Sequence, residues 1–392
     1  MRNSVSEYWR VWNPCDARRV LAAAAIVALS ACGAAGSPSA TSQSPPACSP
    51  AAQSVVEKPA PSTRAIAEYK APGLGGIFQM VTGPDGNLWF TGSTETGHEV
   101  IGRATPTGTF TLRPISTGSG FDGIAVGPDS NIWFTESPAL KVGRLVPSTG
   151  AIAEFPVSVP ASSTSGQPAN TQVTDIVAGP DGALWFDVQQ VASAKVMPTG
   201  YVGRVTTSGV ITLFAVPNGD QPIGIQPGAD GNLWSRITIS DAAATPCDGL
   251  PGYSPTSKVV RVTPGGEVTE LDESSSAFAG YVVGPDASRW WMTSKGVLRR
   301  ITSSGQVTEF AALSNLGFWD AFRFVFGPDG NVWYVNAANV VRLTIGGIRT
   351  KYHAPGANSG ATWVATGPDG RVWFVEGFSG AATLGAIRPA ST

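Results

Sequence analysis

Seven times along this chain a short apolar run meets a Gly-Pro-Asp type turn and resumes as a second run with bulky residues side by side. The first copy reads Gly83-Pro84-Asp85-Gly86-Asn87-Leu88-Trp89-Phe90, and its leading glycine recurs at Gly127, Gly179, Gly228, Gly284, Gly327 and Gly367. Pro presets φ, Asp bonds to nearby backbone N–H groups and Gly accepts a positive φ, so each motif predicts the tight turn of a β-hairpin. The run before the turn is apolar, as in Ile124-Ala125-Val126 and Phe324-Val325-Phe326. The run after it is apolar at consecutive rather than alternating positions, which predicts a strand buried on both faces.

Two more runs follow in most copies. One has the form Ile101-Gly102-Arg103, Val142-Gly143-Arg144 or Val202-Gly203-Arg204. A short turn ending in Gly leads to the other, as in Ile152-Ala153-Glu154-Phe155 and Val307-Thr308-Glu309-Phe310. The leading glycines lie 40 to 56 residues apart. Four strands per repeat of that length predict one antiparallel sheet each, and sheets buried on both faces must pack between neighbours, as propeller blades do. The seventh copy ends after Leu384–Arg388 without its outer strand, while Ala65-Ile66-Ala67-Glu68-Tyr69 precedes the first copy and matches Ala151–Phe155. The expected fold is therefore all-β: a seven-bladed β-propeller of four-stranded antiparallel blades over residues 65–392. Its N-terminal strand joins the last blade, closing the ring and covering two sheet edges. Length variation falls on one face only, in segments 157–172, 188–199 and 237–257, and irregular loops are where binding residues usually sit.

The first 64 residues have a different character. Residues 1–19 are polar with four arginines, 20–29 form an apolar run of signal-peptide length, and the run ends in Leu29-Ser30-Ala31-Cys32. This resembles the lipobox of bacterial lipoproteins, which makes 1–31 a signal peptide and Cys32 the lipidation site. The other reading is an ordinary secretory signal with an incidental Cys. Residues 32–64, rich in Ala, Ser and Pro, cannot bury a core and read as a disordered tether. The expectation is an exported protein, lipid-anchored at Cys32 on the extracytoplasmic side of a bacterial envelope, touching membrane only through its lipid. Cys48 and Cys247 either pair or stay as thiols, and no CxxC spacing suggests zinc.

Composition narrows the partners. Lys and Arg total 26 against 28 Asp and Glu, so the chain lacks the basic footprint of a nucleic-acid binder. No apolar run reaches the ~20 residues that span a bilayer. Neither a Gly-x-Ser-x-Gly elbow nor a phosphate-cradling Gly loop occurs. The partners left are a small molecule, a glycan or an envelope protein, with the chain itself expected to be a monomer.

The octapeptide ending in Trp-Phe, with the Ile-Gly-Arg and Ile-Ala-Glu-Phe strands, resembles the streptogramin (virginiamycin B) lyase family of seven-bladed propellers, over nearly the whole chain after the tether. The resemblance implies opening of an ester-closed cyclic peptide by elimination, with magnesium. It also implies three working positions: a His five residues before the leading Gly of each of the last two repeats, and a Glu nine residues after the final leading Gly. Here those positions hold Phe322, Thr362 and Glu376. With both imidazoles missing, neither base nor proton shuttle is in place. The expected function is thus a ligand-binding or interaction module. The alternative is a Mg2+-dependent carbon–oxygen lyase acting on a cyclic ester or glycan, with Glu376 as its catalytic carboxylate.

Glu376 could act as a base or metal ligand, or equally cap its strand. Glu136 is its counterpart in the second repeat, and Asp122 is the counterpart of Phe322. With Asp175 and Asp320 they would form a loose acidic ring at the channel mouth, which holds a cation only if its oxygens converge. Phe78, Phe121, Phe318, Trp319 and Trp363 lie near the same rim and either stack on a ligand or pack between blades. His98 and His353 fall on the loop-bearing face, as a replacement base or as exposed loop residues. The candidate site is the channel mouth, with Asp122, Glu136, Phe322, Thr362 and Glu376, and the other reading of that mouth is a water-filled funnel.

Overall fold

Each of the seven turn motifs joins two antiparallel strands in the computed structural model. The described residues are 56–58, 66–115, 120–137, 139–160, 171–190, 199–228, 230–240, 253–272, 282–284, 286, 288–292, 298–302, 306–310, 324–336, 339–355, 360–376 and 382–389. Seven antiparallel sheets are built from them. The first is Leu74–Thr82, Leu88–Thr94, Glu99–Ala104 and Phe110–Pro114; the second is Phe121–Val126, Ile132–Glu136, Lys141–Leu145 and Ile152–Pro156. The third is Thr171–Ala178, Leu184–Gln190, Tyr201–Val205 and Ile211–Ala215; the fourth is Gln221–Pro227, Leu233–Ser240, Tyr253–Val262 and Val268–Asp272. Shorter strands make the fifth: Val282–Val283, Arg289–Met292, Leu298–Ile301 and Val307–Glu309. The sixth is Phe324–Phe326, Val332–Asn336, Asn339–Leu343 and Ile348–His353. The seventh takes Ala361–Thr366, Val372–Glu376 and Thr383–Ile387 from the C-terminus and Ile66–Lys70 from the front of the chain.

That last pairing runs from Ile66 opposite Ile387 to Lys70 opposite Thr383. Tyr69 then stacks on Trp373 with ring centroids 5.1 Å apart. Phe155 on Trp133 (5.7 Å), Phe214 on Trp185 (5.7 Å) and Tyr352 on Trp333 (5.3 Å) make the same stack within their own sheets. The N-terminal strand thus supplies the aromatic ring that the seventh sheet needs over its Trp.

The turn motif is explained by what its Asp holds. Asp85 Oδ1 accepts the indole N–H of Trp89 at 2.9 Å, and Asp129, Asp181, Asp230, Asp329 and Asp369 do the same for the Trp four residues on. The second oxygen accepts the amide of Asn87, Asn131, Asn232 or Asn331 at 2.8–2.9 Å. An Arg from the third strand adds to it in places, with Arg204 Nε 2.6 Å from Asp181 and Arg342 Nε 2.5 Å from Asp329. The leading Gly is required by close approach: a methyl at Gly83 would lie 2.3 Å from Trp89 Cδ1.

Consecutive apolar positions in a second strand serve two different cores, as the second sheet shows. Trp133 packs with Val173, Leu184 and Phe186 of the third sheet, whereas its neighbour Phe134 packs with Trp89 and Ile101 of the first. Trp185 likewise joins the core with the fourth sheet. Trp290 meets the sixth sheet, Trp333 the seventh, and Trp373 packs with Phe90 and Leu88 of the first.

One expectation is corrected. Val56–Lys58, which composition places in the tether, is a strand lying parallel to Ile348–Thr350 on the outer edge of the sixth sheet. The edge offers unpaired backbone groups, and Glu57 pairs with both Arg349 and Lys351. Cys32, Cys48 and Cys247 lie outside the described residues.

Candidate functional site

In five of the sheets the position five residues before the leading Gly sits in or beside an irregularity of the first strand. Register shifts fall between Ile77 and Gln79, Phe121 and Ile124, Thr174 and Ile176, Ile223 and Gln226, and Ala361 and Trp363. A bulge inserts one residue, bends the strand and re-aims a side chain. Phe78, Asp122, Thr174, Ile223 and Thr362 therefore occupy a built position rather than an arbitrary one.

Thr362 is buried in the bulge of the seventh sheet, next to Ala361, whose partner across the ladder is Glu376. Glu376 ends the second strand, is 4% exposed, and faces Thr383 on its other side. The structure thus brings Thr362 and Glu376 to one end of one sheet. Glu136 is fully buried at the equivalent end of the second sheet, between Phe121 and Lys141. The Lys141 ammonium is held above its ordinary value first by its 2.6 Å hydrogen bond to Glu154, with the charge of Glu136 adding to it. Glu136 and Glu376 belong to different sheets, with the first sheet packed against both of theirs. Asp122 has its backbone in the bulge of Phe121–Val126, while its side chain lies outside the description. Phe322, Phe318, Trp319 and Asp320 lie outside the described residues.

Among the described residues no three His, Cys, Asp or Glu side chains converge to hold a metal ion. His98 is exposed in the turn after Thr94, and His353 is exposed with Nδ1 3.4 Å from Asn339 Oδ1. Of the rim aromatics, Trp363 donates its indole N–H to Met80 O at 2.9 Å and packs on the core of the first and seventh sheets. Phe78 packs on the core of the first and second. Both follow the packing reading.

Sequence reasoning passed over Asp187. It stands one position before the Glu136 and Glu376 place, where the first and second sheets carry Thr91 and Thr135. It is fully buried, opposite Thr174 and Val202. Burial pushes its carboxyl well above the ordinary value and the charge of Asp175 adds to this, while hydrogen bonds from Ile225 N–H and Ser235 pull the other way. The signal was present: Leu184-Trp185-Phe186-Asp187 puts an acid into an otherwise apolar run.

Residues 61–244 match the family model described as the virginiamycin B lyase family. Among solved structures, the chain is similar to a catalytically inactive His-to-Ala variant of virginiamycin B lyase from Staphylococcus aureus with quinupristin. That match has 22% identity and a TM-score of 0.61, over 83% of this chain and 99% of that one. It is also similar to a streptogramin B lyase (20% identity, TM-score 0.58, 82% and 97% covered). YCF48 bound to a D1 peptide has 13% identity and a TM-score of 0.55, with 85% and 99% covered. Among proteins of curated function, none matches the sequence. The chain is virginiamycin B lyase-like in its propeller fold.

Proposed function

We propose that this chain is a ligand-binding or interaction propeller of seven blades, carried by an exported lipoprotein, and that it does not perform the lyase family's elimination. The observation that carries this is the residue set at the three places where the resemblance puts two imidazoles and a carboxylate. They hold Phe322, a buried Thr362 and a buried Glu376. A phenyl ring and a threonine hydroxyl are no bases at neutral pH, so neither imidazole's part in proton transfer is filled, and Glu376 is the one group of the three able to take a proton. Toward magnesium the set offers one carboxylate and one hydroxyl, an aromatic ring being no ligand, so most of the ion's oxygens would have to come from water or substrate. Ring closure is supported by the run of shared cores from the fifth sheet through the sixth, seventh, first, second and third to the fourth. It is supported too by the pairing of Ile66–Lys70 with Thr383–Ile387.

The test uses quinupristin, the compound bound in the similar structure. Incubated with the purified protein and Mg2+, it is expected to remain cyclic, as read by chromatography because elimination leaves the mass unchanged. Ring opening that Glu376→Gln abolishes would replace this reading with the lyase one, which the retained Glu376 favours. The anchor has its own test. Cys32→Ser is expected to move the protein from the membrane to the soluble fraction, and a variant that stays with the membrane overturns the lipid assignment.

A further inference from the structure

Asp187 serves neither reading above, and its hydrogen bonds cross from one sheet to the next. It belongs to the second strand of the third sheet, yet it accepts the Ile225 N–H of the fourth sheet at 2.9 Å and the Ser235 hydroxyl at 3.2 Å. Asp175, in the bulge of the third sheet with φ +37°, accepts the neighbouring Gly224 N–H at 3.0 Å. Gly224 and Ile225 lie in the register gap between Ile223 and Gln226, where the fourth sheet's own ladder is interrupted. Two carboxyls of one sheet therefore hold two successive amides in the bulge of the next.

We propose that Asp187 and Asp175 form a pH-sensitive latch between the third and fourth sheets, closed while Asp187 keeps its proton and weakened when the proton leaves. Two anions gripping adjacent amides, one fully buried and the other half-buried, repel one another, so one of them is favoured neutral. Full burial selects Asp187, because desolvation penalises its charged form most. Among the described residues, the charged group acting on it is Asp175 from its own sheet. The first strand of the fourth sheet faces it with backbone amides and the second with the Ser235 hydroxyl.

The sign follows from proton counting. The unfolded chain releases the Asp187 proton near the ordinary value of 3.8, and the folded chain keeps it to higher pH. Between those limits the folded state binds more protons, so stability falls as pH rises. The latch lies at the bulge position that candidate residues occupy in other sheets, so its loosening would free that part of the rim.

The test compares the full chain with Asp187→Asn, which keeps the shape and an acceptor for the Ile225 amide but cannot ionise. Within the window, each pH unit multiplies the wild-type ratio of unfolded to folded protein by up to about tenfold relative to the variant. Exchange of the Gly224 and Ile225 amides, corrected for intrinsic rates, is expected to quicken with pH in the wild type and to stay level in Asp187→Asn. The infrared band of a protonated carboxyl is expected to persist to higher pH in the wild type than in Asp187→Asn. Parallel stability curves and no such band would overturn the latch. Asp175→Asn supplies a second arm should Asp187→Asn not fold. Removing the neighbouring charge is expected to move the window to lower pH, and an unmoved window counts equally against the proposal.

Discussion

Gly143→Ala is expected to destabilise the protein by roughly 3 kcal/mol in chemical denaturation, the upper range for overpacking a core. Gly143 lies in Lys141–Leu145, directly opposite Phe134. A methyl there would stand 2.1 Å from Phe134 Cζ. The ring has no room to withdraw, because it is fully buried against Trp89, Ile101 and Ile132, and close-packed interiors pass such strain on. Phe134→Leu removes the clashing atoms. The double variant should therefore be more stable than the sum of the two single losses, a coupling a double-mutant cycle reads directly. The same approach occurs at Gly102 on Phe90 (2.0 Å), Gly203 on Phe186 (2.2 Å) and Gly385 on Phe374 (2.1 Å). An alanine at Gly143 tolerated without loss would show that the Phe–Gly contact does not set the blade's packing.

Both halves of that contact stand in the sequence as recurring motifs, Trp-Phe and Ile-Gly-Arg, but their facing across the ladder is a finding of the structure. The fourth copy supports the physics by exchanging volumes: Ser235 stands in the Phe place and Val260 in the Gly place. The pairing of Ile66–Lys70 with Thr383–Ile387 was legible because Ala65–Tyr69 repeats Ala151–Phe155. What spacing could not reveal are events between repeats. The partners of Asp187 lie 38 and 48 residues away in another sheet, and no periodicity within a repeat points to them. The bulges are backbone insertions that leave residue types unchanged, so Thr362 was named without the irregularity that houses it. Val56–Lys58 is a strand because the edge of the sixth sheet, almost 300 residues on, accepts it; composition alone sees only its neighbours. Thr362 and Glu376 share one end of the seventh sheet because both stand at fixed distances from one leading glycine.

The second large effect concerns the turn aspartates. Asp329→Ala is expected to cost about 3 kcal/mol, because it strands buried donors, one of them charged. The Asp329 side chain is 6% exposed and accepts from Trp333 Nε1 at 2.9 Å, Asn331 Nδ2 at 2.9 Å and Arg342 Nε at 2.5 Å. Burial works to raise its pKa, but the indole, the amide and the guanidinium together outweigh burial and hold it below the ordinary value. Asp85, Asp181, Asp230, Asp286 and Asp369 are also lowered, each by its own set of hydrogen bonds that together outweigh burial. A carboxyl with a depressed folded pKa gives its full stabilisation above the ordinary value and loses it as pH falls through the folded value. The sign is opposite to that of Asp187 and the window lies on the other side of pH 3.8, so the two effects separate along one titration. Six such groups in as many sheets predict steep acid unfolding, with several protons taken up together. Asp329→Asn, which keeps the shape and removes one titrating group, is expected to unfold along a shallower acid limb, read by circular dichroism between about pH 2 and pH 4. An acid limb as steep as the wild type's would mean that the turn carboxylates are not what protons attack first.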